Sequence, residues 1–146
     1  MTTFAVGIGW TNLPQAQEAL ASPEATVVTL ASLPLFPICG DGPRVTCVVD
    51  GDTFWLEGKK IRIADIDTPE MNGRCPYESN LAVRARDRLQ GLLSEGAFHL
   101  QPIGGREKDQ YGRLLRVVVR DGRSTGDLLV AEGLARTWGG RREPWC

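Results

Sequence analysis

The fold is decided by residues 45–66, which read VTCVVDGDTFWLEGKKIRIADI. This stretch contains three candidate strands and two turn signals: strands at residues 45–49, 53–56 and 61–66, and turns at residues 50–52 and 57–60. The third candidate alternates apolar and polar side chains, as a half-buried strand does. The stretch therefore predicts a three-stranded meander.

Downstream, the hydrophobic period changes. Residues 76–93 carry apolar side chains at helical spacing, with Pro76 suited to a first turn and Gly96 to a C-terminal stop. Two further strands are predicted, at residues 97–103 and 114–119, and then a short helix from Ser124 or Thr125 through Leu134. The order β-β-β-α-β-β-α predicts an α+β, mainly β chain: a five-stranded OB-fold Greek-key barrel with two or three helices.

The N-terminal segment differs in composition from the rest. Residues 1–38 contain no Lys or Arg, only two acids, and a weak helical pattern at residues 15–20. A cluster of Pro, Gly and Asp follows. We therefore divide the chain into a leader of unknown role, residues 1–38, and a domain, residues 39–146.

Bulk composition excludes some classes of protein. A hydrophobic content of 42% supports a packed core, and the formal net charge of −1 argues against a simple basic nucleic-acid coat protein. Residues 39–146 nevertheless hold all 17 basic residues and 16 acidic ones. The sequence predicts no membrane span, since its longest apolar stretch is short and broken by prolines. No standard signal peptide opens at residue 1.

Four cysteines are present: Cys39, Cys47, Cys75 and Cys146. Their spacing matches no common zinc motif, and four cysteines allow three disulfide connectivities. We expect disulfides, because a bridge to Cys146 would hold a segment that otherwise frays. The connectivity stays open.

Several acids fall within two candidate strands and their connections: Asp50, Asp52, Asp65, Asp67 and Glu70. A meander brings strand ends together, so these carboxylates can converge, and a hard cation would relieve their repulsion. An all-oxygen ligand set suits Ca²⁺ or Mg²⁺ rather than Zn²⁺. The alternative for each acid alone is a solvated turn residue.

Two arginines stand out by position. Arg62 interrupts an apolar strand, and Arg113 follows the turn Gln110-Tyr111-Gly112. A guanidinium offers a planar fork that grips a phosphate through two hydrogen bonds. Surface ion pairs are the alternative, and we favour that interpretation for Arg120, Arg123, Arg141 and Arg142.

Three motifs occur in order: DGDT at 50–53, DTPE at 67–70 and YGR at 111–113. Together they resemble the staphylococcal nuclease (thermonuclease) family over roughly residues 45–134. The resemblance implies an endonuclease of the thermonuclease type: a Ca²⁺-dependent phosphodiesterase that cuts DNA, RNA or both by in-line water attack and leaves 3′-phosphate ends.

The resemblance also implies roles for individual residues. Asp52, Asp67 and the backbone carbonyl of Thr68 match the family's metal ligands. Glu70 matches the acid that orients or activates water, and Arg62 and Arg113 match the catalytic arginines.

Nucleotide binding is less well matched. The family's tyrosine pair is replaced by residues 136–140, where Trp138 is the candidate for base stacking beside Tyr111. The expected partner is a nucleic-acid substrate, and we expect a monomer. Family resemblance implies a secreted, periplasmic or membrane-associated location.

Two other functions remain open. One is a non-catalytic OB-fold module that binds nucleic acid or protein. The other is a domain with a structural Ca²⁺ site and no nucleic-acid role. The combined presence of the acids and both arginines favours the nuclease over either alternative.

Overall fold

The computed structural model describes residues 26–28 and 36–146. The helical pattern at residues 15–20 lies outside these ranges. The chain forms nine strands and two α-helices within them: β1 (Thr26–Val28), β2 (Cys47–Asp50), β3 (Thr53–Leu56), β4 (Lys59–Ile63), β5 (Ile66–Asp67), α1 (Pro76–Ser94), β6 (Phe98–Pro102), β7 (Leu114–Arg120), β8 (Arg123–Ser124), α2 (Thr125–Ala131) and β9 (Arg136–Thr137). The predicted mixed, mainly β fold is confirmed.

The main sheet runs in the order β1-β6-β7-β4-β3-β2, and β8 pairs with β7. All five predicted strands are present as β2, β3, β4, β6 and β7. β4 and β7 pair in parallel, whereas the other named pairs are antiparallel. The parallel pair places Arg62 opposite Leu115, and so brings the first meander beside the second half of the domain.

The predicted second turn is shorter than expected. Only Glu57 and Gly58 form it, both with positive φ (49° and 81°), while Lys59 and Lys60 already belong to β4. Two residues with positive φ are the signature of a tight hairpin that matches strand twist. The predicted strand 61–66 is also divided, because a turn at residues 64–65 separates β4 from β5. β5 pairs with β9 in a separate two-stranded sheet.

Helix α1 begins and ends as predicted. Pro76 occupies its first turn after the extended Cys75, and Gly96 follows the C-cap residue Glu95. Arg120 of β7 donates hydrogen bonds to the carbonyls of Leu92 (2.6 Å) and Gly96 (2.8 Å). These bonds add donors at the C-terminal end of α1, where the Leu92 carbonyl also accepts a long bond from the Glu95 N–H (3.4 Å).

The core lies between α1 and the sheet, and three phenylalanines meet in it. Phe36, Phe54 and Phe98 are fully buried, with ring centroids 6.1–6.4 Å apart. The backbone N–H of Phe36 also donates to Ser94 Oγ of α1 (3.3 Å). Phe36 and strand β1 belong to the segment assigned to the leader, yet they contact the domain. The division of the chain at residue 38 stays a prediction.

Both pairs of cysteines are joined in disulfides: Cys39 to Cys47 and Cys75 to Cys146. This resolves the connectivity that the sequence left open. No helix in the described ranges has the length and apolar character needed to cross a membrane.

Candidate active site

The acidic turn between β2 and β3 packs tightly against α1. A Cβ on Gly51 would lie 2.8 Å from the Cβ of Ala85, so a side chain there would displace the turn from the helix. The turn is also held internally, because Asp50 Oδ1 accepts the backbone N–H of Asp52 (3.1 Å). Glycine thus permits the close approach that places the two aspartates.

Asp52, Asp67 and Arg62 form a buried charged group. Each is less than 10% exposed. The Nη2 atom of Arg62 lies 3.4 Å from Asp52 Oδ2 and 4.0 Å from Asp67 Oδ1. Arg62 Nη1 also donates to the carbonyl of Ile63. The predicted arginine and both predicted metal ligands therefore meet in one place, on β3, β4 and β5 and their connections.

Thr68 extends this group. It is buried, and its backbone N–H donates to Asp52 Oδ2 (3.3 Å). The hydroxyl of Thr53 donates to the other oxygen, Asp52 Oδ1 (3.0 Å). These bonds fix the orientation of the Asp52 carboxylate.

Burial and mutual repulsion act on the carboxylates of this group. Burial and the nearby charge of Asp52 raise the pKa of Asp50 to about 7. Burial likewise raises the pKa of Asp67, although the positive charges of Arg142 and Arg62 act in the opposite direction. Asp67 Oδ1 is buried and accepts no hydrogen bond within the described ranges. A buried carboxylate oxygen without a hydrogen-bond donor is free to act as a ligand for a cation or to accept a bond from an ordered water.

Donor chemistry is consistent with a hard cation, because the available ligands are all oxygens. In residues 26–28 and 36–146, no three His, Cys, Asp or Glu side chains already converge as a metal cluster. A cation here would therefore draw on two aspartates together with backbone oxygen and water. That set is compatible with Ca²⁺, which accepts carbonyl and water ligands readily.

A groove of about 930 Å³ opens beside this cluster. Arg62, Glu70 and Arg113 all line it, as do Tyr111 and Trp138, which are 74% and 40% exposed. The three predicted catalytic side chains and both predicted stacking residues thus face a single space. Three more basic residues also line the groove: Lys60, Arg106 and Arg142.

Arg113 is oriented by Asp109, at the turn that carries the third motif. Its Nε donates to Asp109 Oδ2 (2.6 Å), and its backbone N–H donates to Asp109 Oδ1 (3.0 Å). Burial acts to raise the pKa of Asp109, but the hydrogen bonds from Arg113, the backbone N–H of Tyr111 and the charge of Arg113 together outweigh it, and the pKa is lowered. The guanidinium also lies 5.3 Å from the ring centroid of Tyr111.

Asp65, which the sequence grouped with the other acids, has a structural role instead. Its Oδ2 accepts a hydrogen bond from Ser124 Oγ (2.5 Å), and Ser124 caps α2. The other carboxylate oxygen, Asp65 Oδ1, packs against Gly126 of α2, where an added Cβ would lie only 2.6 Å from it. Asp65 thus ties β5 to α2.

Arg142 is the site residue that sequence reasoning missed. It forms the surface ion pair expected of it, with a side chain 56% exposed, but the partner is the site residue Glu70, whose Oε1 contacts Arg142 Nη1, and Arg142 Nε lies 3.7 Å from Asp67 Oδ1. The segment that carries it is linked through Cys146 to Cys75, beside α1. The only sequence signal was the cysteine at position 146, whose partner the sequence does not reveal.

Comparison with known proteins gives consistent matches. Residues 60–144 match the family described as staphylococcal nuclease homologue. Arg62, Asp67, Glu70, Arg113 and Arg142 lie inside that range, and Asp52 lies before it.

Three curated relatives come from Bacillus subtilis (strain 168). The chain is 38% identical over 96 residues to "Endonuclease YncB". This match covers 60% of the chain and 44% of the relative. It is 36% identical over 96 residues to "SPbeta prophage-derived endonuclease YokF" (60% and 31%), and 35% identical over 102 residues to "Endonuclease YhcR" (62% and 8%). The chain therefore spans less than half the length of each of these relatives.

Proposed function

This chain belongs to the staphylococcal nuclease homologue family, and we propose that it is a Ca²⁺-dependent nuclease that hydrolyses phosphodiester bonds of DNA, RNA or both. Family membership also confirms the predicted OB-fold. The names of the three relatives support nuclease activity at the level of the family.

One observation carries the proposal. Glu70, Arg62 and Arg113 line the same groove. The buried carboxylates of Asp52 and Asp67 form ion pairs with Arg62. A purely structural metal site would not require two arginines that line an open groove. A phosphodiester bound in this groove would have the carboxylate of Glu70 and the guanidiniums of Arg62 and Arg113 within reach, as a hydrolytic site requires.

The side chains present have distinct tasks. Arg62 and Arg113 would bind non-bridging oxygens of the phosphate and stabilise the charge that develops on them. Glu70 would orient a water molecule and accept its proton as the water oxygen bonds to phosphorus. The bond from phosphorus to the 5′ oxygen would then break, the 5′ oxygen would leave as a hydroxyl after taking a proton from solvent water, and the phosphate would stay on the 3′ end.

The residues that would hold a cation are Asp52, Asp67 and the carbonyl of Thr68. Bound there, Ca²⁺ would supply positive charge at the reacting phosphate. The Oδ1 atom of Asp67 supports this assignment, because it is buried and accepts no hydrogen bond within the described ranges, although the guanidiniums of Arg62 and Arg142 lie 4.0 Å and 3.7 Å from it.

A digestion assay tests the proposal. We expect the protein to nick plasmid DNA or degrade RNA with Ca²⁺ and to stop when a calcium chelator is added. We also expect the fragments to resist polymerase extension until a phosphatase removes their 3′-phosphate. Binding of either nucleic acid without hydrolysis would favour the non-catalytic module, and full activity in chelator would refute the metal assignment.

A further inference from the structure

The segment after β9, residues 138–146, crosses beside the groove and is here called the tail segment. Its first anchor is Arg136 of β9, which lies opposite Asp67 in the β5–β9 pair. Arg136 Nη1 donates to the carbonyls of Glu143 and Pro144 (3.0 Å each). Its guanidinium also stacks 3.8 Å from the ring centroid of Trp145, which packs against the core.

The second anchor is covalent. Cys146 is joined to Cys75, the N-cap residue of α1, across a sequence separation of 71 residues. The tail segment is therefore held at β9 on one side and at α1 on the other. Arg142 lies between these two anchors.

The two neighbouring arginines of the tail segment differ in what they contact. Arg142 contacts Glu70 and lies near Asp67, and it lines the groove. Arg141 is 83% exposed at its side chain and pairs only with Glu143 within the described ranges. One arginine is thus directed into the site and its neighbour is not.

We propose that Arg142 is a positioning residue that fixes the carboxylate of Glu70, and that the Cys75–Cys146 disulfide holds Arg142 in place. This inference rests on the proposed function, in which Glu70 orients the attacking water. Glu70 needs such support because its side chain is 43% exposed and has several rotatable bonds. A misplacement of about 1 Å in a reacting group can cost about 100-fold in rate.

A double-mutant cycle tests the link between the two residues. The variants are Arg142→Gln, Glu70→Gln, the combination of both, and Arg141→Gln as the matched control. Each is measured for kcat and KM on one DNA oligonucleotide with Ca²⁺, after circular dichroism has shown that it folds.

We expect Arg142→Gln to lower kcat by about 10- to 100-fold while KM changes little, the pattern of a group that acts on the chemical step. In the Glu70→Gln background the same change should have almost no further effect, because the carboxylate that Arg142 positions has been replaced by an uncharged amide. Arg141→Gln should match the wild type. Arg142→Lys, which keeps the charge without the fork, should retain part of the rate.

A second pair of variants tests the disulfide. Cys75→Ser with Cys146→Ser removes the anchor of Arg142, whereas Cys39→Ser with Cys47→Ser removes a bridge elsewhere. Only the Cys75→Ser and Cys146→Ser pair should lower kcat. When this pair is combined with Arg142→Gln, kcat should fall no further than in Arg142→Gln alone. Peptide mapping of the non-reduced wild type should recover the Cys75–Cys146 linkage.

Several results would overturn the inference. An equal loss of kcat from Arg142→Gln in both backgrounds would show that Arg142 does not act through Glu70. A rise in KM alone would assign it to substrate binding, and an absent Cys75–Cys146 linkage would remove the anchor. Absence of hydrolysis by the wild type would instead refute the proposed function and, with it, this inference. If the serine pair does not fold, the Arg142→Gln cycle decides alone.

Discussion

We expect Arg62→Lys to lower kcat strongly, because the guanidinium of Arg62 is proposed to bind the phosphate in the groove. Arg62 is only 8% exposed, and it reaches Asp52, Asp67 and the carbonyl of Ile63 at once. Lysine keeps the charge but offers no planar fork, so it cannot hold the aspartates and also bind a phosphate with two parallel hydrogen bonds. Loss of one preorganised donor costs about 2–4 kcal/mol of transition-state stabilisation, or roughly 30- to 1000-fold in kcat.

Steady-state kinetics on one oligonucleotide with Ca²⁺ measures this loss. Arg116→Lys is a suitable control, because Arg116 lies on β7 opposite Ile63, and its guanidinium pairs with Glu107. We expect the control to keep the wild-type kcat. Urea unfolding of both variants separates loss of rate from loss of stability. A folded Arg62→Lys variant with full kcat would refute the role given to the fork of Arg62.

Other predictions address the remaining parts of the molecule. Glu70→Gln should lower kcat strongly and leave circular dichroism and Ca²⁺ affinity nearly unchanged, whereas an unchanged kcat would remove Glu70 from the mechanism. Asp52→Ala should weaken Ca²⁺ binding by calorimetry more than Asp50→Ala, because Asp52 matches a metal ligand of the family whereas Asp50 lies before it at the end of β2; the reverse order would contradict this ligand assignment. Phe36→Ala should lower the free energy of unfolding by about 3–5 kcal/mol in urea, and a loss below about 1 kcal/mol would show that Phe36 is not part of the core.

The sequence predicted the main strands and α1 because each has a strong local signal. The strands from residue 45 onward show short β-branched or alternating runs, and residues 76–93 show a helical period bounded by Pro76 and Gly96. These signals depend only on residues that are close in sequence, so they can be recognised without knowledge of the tertiary contacts.

The short strands were missed for the opposite reason. β5, β8 and β9 have two residues each, and β1 has three. A periodicity cannot be read from so few residues, and each of these strands is defined by its partner rather than by its own sequence. Asp65 illustrates the same limit: its partner Ser124 lies 59 residues away, so nothing nearby distinguishes it from Asp67.

The candidate site was predicted in outline because its motifs lie at strand ends that the meander and the β4–β7 pairing bring together. The contact of Arg142 with Glu70 was not predicted, because the tail segment is joined to Cys75 by a disulfide whose connectivity four cysteines leave ambiguous. Glu70 and Arg142 are distant in sequence, and only the folded tail segment places one against the other.

The central claim is hydrolysis of a phosphodiester by water that attacks phosphorus, and one measurement tests it most directly. A DNA or RNA oligonucleotide is digested with Ca²⁺ in ¹⁸O-labelled water, and the fragments are weighed by mass spectrometry. We predict fragments whose 3′-phosphate carries one ¹⁸O atom, and far fewer fragments from Glu70→Gln over the same time. Label on a 5′-phosphate, unlabelled fragments, or no cleavage by the folded wild type would contradict the account.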